Sequence, residues 1–140
     1  MLEHAPRACA HTRVCIRLTR ACSASLQGHS GAIRSLCWRE GDLGLISAGM
    51  DGAVYEWQWG ADGTRSMERL QGSDFVLKSV KHEAVLCGPR SKGSTPIVVA
   101  GNDGALRDVE HGAVTTEKPM DLGKVGALCL SRSDRLLIAS

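Results

Sequence analysis

Aromatic residues are scarce. One Phe and one Tyr accompany three Trp in 140 residues, so any core has to be filled mainly by aliphatic side chains. No run of about 18 apolar residues occurs, and no apolar signal-type stretch opens the chain, so no membrane span is expected. Neither sign of charge dominates: the formal net charge is +2. Neither nucleic acid nor a membrane surface is therefore expected as a partner. What imbalance exists is local. Arg7, Arg13, Arg17 and Arg20 face only Glu3 within residues 1–22, a net +3, and the remainder is near −1. The six cysteines include no Cys-x-x-Cys pair, so neither zinc nor any other metal is expected. Cys37, Cys87 and Cys129 lie in apolar runs, and Cys9, Cys15 and Cys22 are scattered. All six are read as reduced, which places the chain inside the cell.

Glycine, by contrast, is abundant at 16 residues, and it punctuates a repeat. Residues 28–31 read Gly-His-Ser-Gly, 32–38 form a short apolar-rich run, 45–49 a second, and Asp51-Gly52 precedes Ala53-Val54-Tyr55-Glu56-Trp57. A Gly-His pair, two short runs, an Asp-Gly turn and a Trp six residues beyond the Asp are the signature of a WD-repeat propeller blade. The run from Gly31 to Trp38 returns from Gly123 to Leu130, 92 residues later, and Leu45-Ile46 returns as Leu137-Ile138. That offset is two repeats of 46, close to one blade each. A middle copy, Gly101-Asn102-Asp103-Gly104-Ala105-Leu106, matches residues 49–54 at an offset of 52.

The reading is all-β: a WD-repeat β-propeller fragment of about two and a half four-stranded blades. Blade one spans about 28–72, with strands near 32–38, 44–49, 53–59 and 64–71. Blade two spans about 75–118, with strands near 82–88, 96–101, 104–109 and 112–117. A truncated blade three covers about 122–140. Asp51-Gly52 and Asp103-Gly104 are the hairpin turns, where Gly supplies the positive φ. Residues 1–22 are read as an irregular segment ahead of a partial propeller at 23–140. Their Arg- and Ala-rich composition has a faint transit-peptide look, but an irregular start or a degenerate outer strand is the plainer account. The Gly- and Ser-containing loop at 88–95 lacks the Gly-Lys-Ser/Thr order of a phosphate loop.

His29, Ser47 and Asp51 are the residue types of a hydrolase triad. No Gly-x-Ser-x-Gly elbow surrounds Ser47, and the repeat gives these residues another task. In such a blade the turn Asp holds the His, the His holds the Ser, and the Ser holds the Trp indole, here Trp57. A buried indole N–H and a buried carboxylate both need partners. No catalytic residue is therefore assigned. In blade two Val99 and Val109 replace Ser47 and Trp57, and His82 only approaches the His position. That blade is expected to rely on apolar packing. Gln58 stands where an Asp usually follows the Trp, and Trp59 after it is a possible contact residue or a blade-edge packing residue.

Gly49 to Trp57, then Phe75-Val76-Leu77-Lys78-Ser79, and Ala127-Leu128-Cys129-Leu130-Ser131-Arg132-Ser133, together resemble the cilia- and flagella-associated protein 57 family, WD-repeat proteins of the axoneme. The resemblance covers roughly residues 25–140. It implies a scaffold without cofactor or small-molecule substrate, binding axonemal or dynein-associated proteins and supporting inner dynein arm assembly or regulation, and thus motility. Family members carry a long coiled coil, and no heptad stretch occurs here, so that role does not transfer. The competing expectations are a generic intracellular WD-repeat adaptor, such as a ubiquitin-ligase receptor or cytoskeletal regulator, and a hydrolase using Ser47.

Overall fold

Alternating and fully apolar short runs give only strands. The computed structural model describes residues 12–16, 24–39, 44–59, 67–88, 96–121, 123–131 and 135–140. They form a hairpin of β1 (Thr12–Ile16) and β2 (Ala24–His29), followed by three antiparallel sheets. The first sheet is β3 (Ile33–Trp38), β4 (Gly44–Gly49), β5 (Ala53–Trp59) and β6 (Met67–Arg69), with β7 (Phe75–Val76) also paired to β5. The second is β8 (His82–Cys87), β9 (Ile97–Gly101), β10 (Ala105–Glu110) and β11 (Ala113–Pro119), in sequence order. The third is β12 (Ala127–Leu130) with β13 (Leu136–Ala139).

The sheets stack face to face, and the period-2 geometry of a strand decides which residue faces which neighbour. Ile46 and Ala48 of β4 join Val54, Phe75, Val85, Ile97, Val99 and Val109 between the first and second sheets. The alternate residues of β9, Val98 and Ala100, face the other way and join Leu86, Leu106 and Val125 against the third sheet. Leu45, Trp57 and Met67 of the first sheet turn toward Leu26 of β2. β4 and β9 are thus buried on both faces, which is why they read as continuous small apolar runs. β3, β8 and β12, the first strands of the three sheets, lie side by side. Successive four-stranded meanders whose first strands are adjacent are the arrangement of propeller blades.

Three expectations change. Phe75-Val76 do not open the second blade; they pair with Ala53 and Val54 at the outer edge of the first sheet. Phe75 is drawn there by the core it enters, where it is buried beside Val54. The fourth strand of the first sheet is consequently split, Met67–Arg69 pairing with one end of β5 and Phe75–Val76 with the other. Within residues 1–22, Thr12–Ile16 form a strand paired with β2, so that stretch is not irregular throughout. The second blade's last strand runs to Pro119 rather than stopping at 117. The transit-peptide reading and the loop at 89–95 fall outside the described residues.

Candidate functional site

The loop from β4 to β5 is three residues long, Met50-Asp51-Gly52, closed by Gly52 N–H donating to the Gly49 carbonyl at 3.3 Å. Gly52 has φ 79°, the left-handed conformation that ends a turn of this length. Asn102-Asp103-Gly104 repeats it, with Gly104 at φ 72°. Each turn aims its Asp back along the sheet. Asp51 Oδ1 accepts the Ala53 N–H at 3.1 Å, and Oδ2 accepts the Ser30 N–H at 2.9 Å.

From Asp51 a chain of bonds runs into the first sheet. His29 Nδ1 lies 3.0 and 3.1 Å from the two Asp51 oxygens, His29 Nε2 lies 2.7 Å from Ser47 Oγ, and Trp57 Nε1 donates to that Oγ at 2.9 Å. The indole can only donate, so Ser47 Oγ accepts it and gives its own proton to His29 Nε2. The imidazole proton is then on Nδ1, donated to Asp51. Burial pushes the Asp51 carboxyl up, but the hydrogen bonds from His29, Ala53 and Ser30 outweigh it and hold it below its ordinary value. The space is tight: a Cβ on Gly49 would lie 2.9 Å from both Asp51 Oδ1 and His29 Nδ1. Tyr55 flanks the imidazole at 4.7 Å between centroids and carries the Arg69 guanidinium 4.8 Å above its ring.

The Asp-His-Ser order is that of a hydrolase, and the surroundings are not. Ser47 is 0 % exposed and His29 1 %. Ser47 Oγ already accepts the indole N–H. Trp59 is half-buried against the Leu26–Trp57 cluster at the end of β5, so only its outer part is open to a partner. Among the described residues no group of three His, Cys, Asp or Glu is placed to hold a metal ion.

The second sheet does not rely on packing alone, which corrects the expectation for it. Val99 and Val109 are buried apolar replacements for Ser47 and Trp57. Asp103, however, is paired with Arg107, whose Nε donates to Glu117 Oε2 at 2.9 Å. Burial pushes the Asp103 carboxyl up, and Arg107 more than reverses this. Arg107 occupies the place of Tyr55 at the 52-residue offset, and a cation four residues beyond the turn Asp was the available signal. His82 is also buried, but it bonds outside its own sheet, to the Gly52 carbonyl at 3.0 Å. Glu83 of β8 ties β3 to the segment leading into β12: its carboxylate accepts from Arg34 Nε at 2.8 Å and Lys124 Nζ at 3.1 Å.

No protein-family model matches the chain. It is 36 % identical over 112 residues to cilia- and flagella-associated protein 57 of Mus musculus, an alignment covering 80 % of this chain. The chain spans about 8 % of the length of that relative. The strand order, the turn geometry and the sequence similarity agree: the chain is a stretch of WD-repeat β-propeller that resembles part of cilia- and flagella-associated protein 57.

Proposed function

We propose that the chain serves in a cilium or flagellum as part of a non-catalytic protein-interaction scaffold on the axoneme. There it supports the assembly or regulation of inner dynein arms, and hence motility. The observation that carries this reading is the 36 % identity over 80 % of the chain to a cilia- and flagella-associated protein. The burial of Ser47 and His29 supports the absence of chemistry at this triad-like constellation. Its partners are other proteins, dynein-associated ones among them, rather than nucleic acid, membrane or a small-molecule substrate.

The test is to tag the protein in a flagellated cell, fractionate, and delete it. Retention in salt-washed axonemes together with altered beating is the expected result. Residence in the soluble cytoplasm with unchanged beating would replace this reading with that of a generic intracellular WD-repeat adaptor.

A further inference from the structure

Cys37 on β3 and Cys87 on β8 are far apart in the chain and adjacent in the fold. The Cys87 backbone N–H donates to Cys37 Sγ at 3.3 Å. Both sulfurs lie against one backbone oxygen, the Trp38 carbonyl, Cys37 Sγ at 3.2 Å and Cys87 Sγ at 3.4 Å. Two residues earlier Ser35 Oγ accepts the Val85 N–H at 3.1 Å, so the same two strands are tied beside the cysteines as well. Both cysteines are half-buried, packed on the core between the sheets with part of each side chain exposed. A core position alone would accept any small apolar residue; two thiols converging on one oxygen add a chemistry that packing does not require.

We propose that Cys37 and Cys87 are a peroxide-responsive thiol pair that closes to a reversible disulfide between the first and second sheets. Cys37 is the attacking sulfur. The Cys87 thiol hydrogen bond, aided by the Cys87 N–H and the nearby Arg39, outweighs burial and lowers its pKa to about 6. Cys87 is pushed up by its bond to Cys37 and by burial, with Glu56 adding to this and Arg39 opposing it. Cys37, which also accepts the Cys87 N–H, is the sulfur of the pair that gives up its proton first.

In the first step the thiolate attacks one oxygen of hydrogen peroxide. An S–O bond forms, the O–O bond breaks, and the departing hydroxide leaves as water after taking a proton. In the second step Cys87 loses its proton and attacks the Cys37 sulfenic sulfur. The S–S bond forms and the S–OH bond breaks, releasing a second water. Two thiols are oxidised by two electrons and one peroxide is reduced to two waters. A dithiol reductant reverses the bond by exchange.

The experiment treats the purified chain with one equivalent of hydrogen peroxide, blocks the remaining thiols with iodoacetamide, and maps linked peptides by mass spectrometry. A parallel sample is treated in concentrated urea. The expected result is a dominant Cys37–Cys87 link in buffer that gives way to mixed pairings in urea. In Cys87→Ser the reaction stops at a Cys37 sulfenic acid that dimedone traps. At pH 7 Cys37 is alkylated roughly tenfold faster than Cys129. The same spread of pairings with and without urea, or alkylation of Cys37 at the rate of Cys129, overturns the proposal.

Discussion

His82 of the second sheet donates its Nε2 proton to the carbonyl of Gly52, the last residue of the first sheet's turn, at 3.0 Å. The same carbonyl accepts the Leu77 N–H at 2.8 Å. One backbone oxygen thus ties the turn that carries Asp51 to the chain leaving the first sheet and to the first strand of the second.

The bond sets a pH dependence. His82 is fully buried, and its Nδ1 has no hydrogen-bond partner. Burial, with Arg107 adding to it, lowers its pKa below 6.5 despite the Gly52 carbonyl. As pH falls beneath that value the unfolded chain takes up a proton that the folded one refuses, so stability declines with acidity and is fully present above it. Urea melts between pH 5.5 and 7.5 should show this slope in the wild type and a shallower one in His82→Gln. Identical slopes would remove His82 as the cause.

Asp51→Ala strips partners from His29, Ser30 and Ala53 together. With His29 1 % exposed, the loss should be about 1–3 kcal/mol. Asp103→Ala should cost less, because Arg107 keeps Glu117 and the Asp103 side chain is 30 % exposed. Chemical denaturation of the two variants gives the order directly.

Gly49→Ala places a methyl 2.9 Å from His29 Nδ1 and Asp51 Oδ1 and 3.1 Å from the Ala32 carbonyl, none of which can retreat without breaking a bond. A loss of about 1–3 kcal/mol is expected. Gly126→Ala meets nothing within 4 Å and should be close to neutral. Thermal melts of the pair separate close approach from a general intolerance of glycine replacement.

Glu83→Gln weakens two ion pairs at once, yet Arg34 and Lys124 are 46 % and 57 % exposed. Water screens both, so the expected cost is only about 1 kcal/mol. It should shrink further in 1 M salt, which a melt repeated at two ionic strengths measures.

The sequence exposes parts of this arrangement unequally. His29, Ser47, Asp51 and Trp57 can be read because each is a distinctive residue type at a fixed place in a repeat. The apolar runs around Ile46 and Val99 mark the central strands for the same reason. The bond from His82 cannot be read, since its acceptor is a backbone carbonyl that any residue at position 52 would offer. Arg107 hides in the opposite way: it sits where the first blade has Tyr55, and pairing with Asp103 requires knowing that both face one side of β10 and its turn. Phe75 reads as the first residue of the second blade, but the space beside Val54 draws it to the first sheet. Cys37 and Cys87 meet only because two separate sheets stack in register.

Ser47 and His29 are proposed to hold a blade together rather than carry out chemistry. Labelling of the folded chain with a fluorophosphonate serine probe, read by peptide mapping beside a thermal melt of Ser47→Ala, tests it most directly. No label on Ser47 and a lowered melting temperature in the variant are expected, because the Trp57 indole and His29 Nε2 both lose their partner. Stoichiometric label on Ser47, with an unchanged melting temperature in Ser47→Ala, would contradict it.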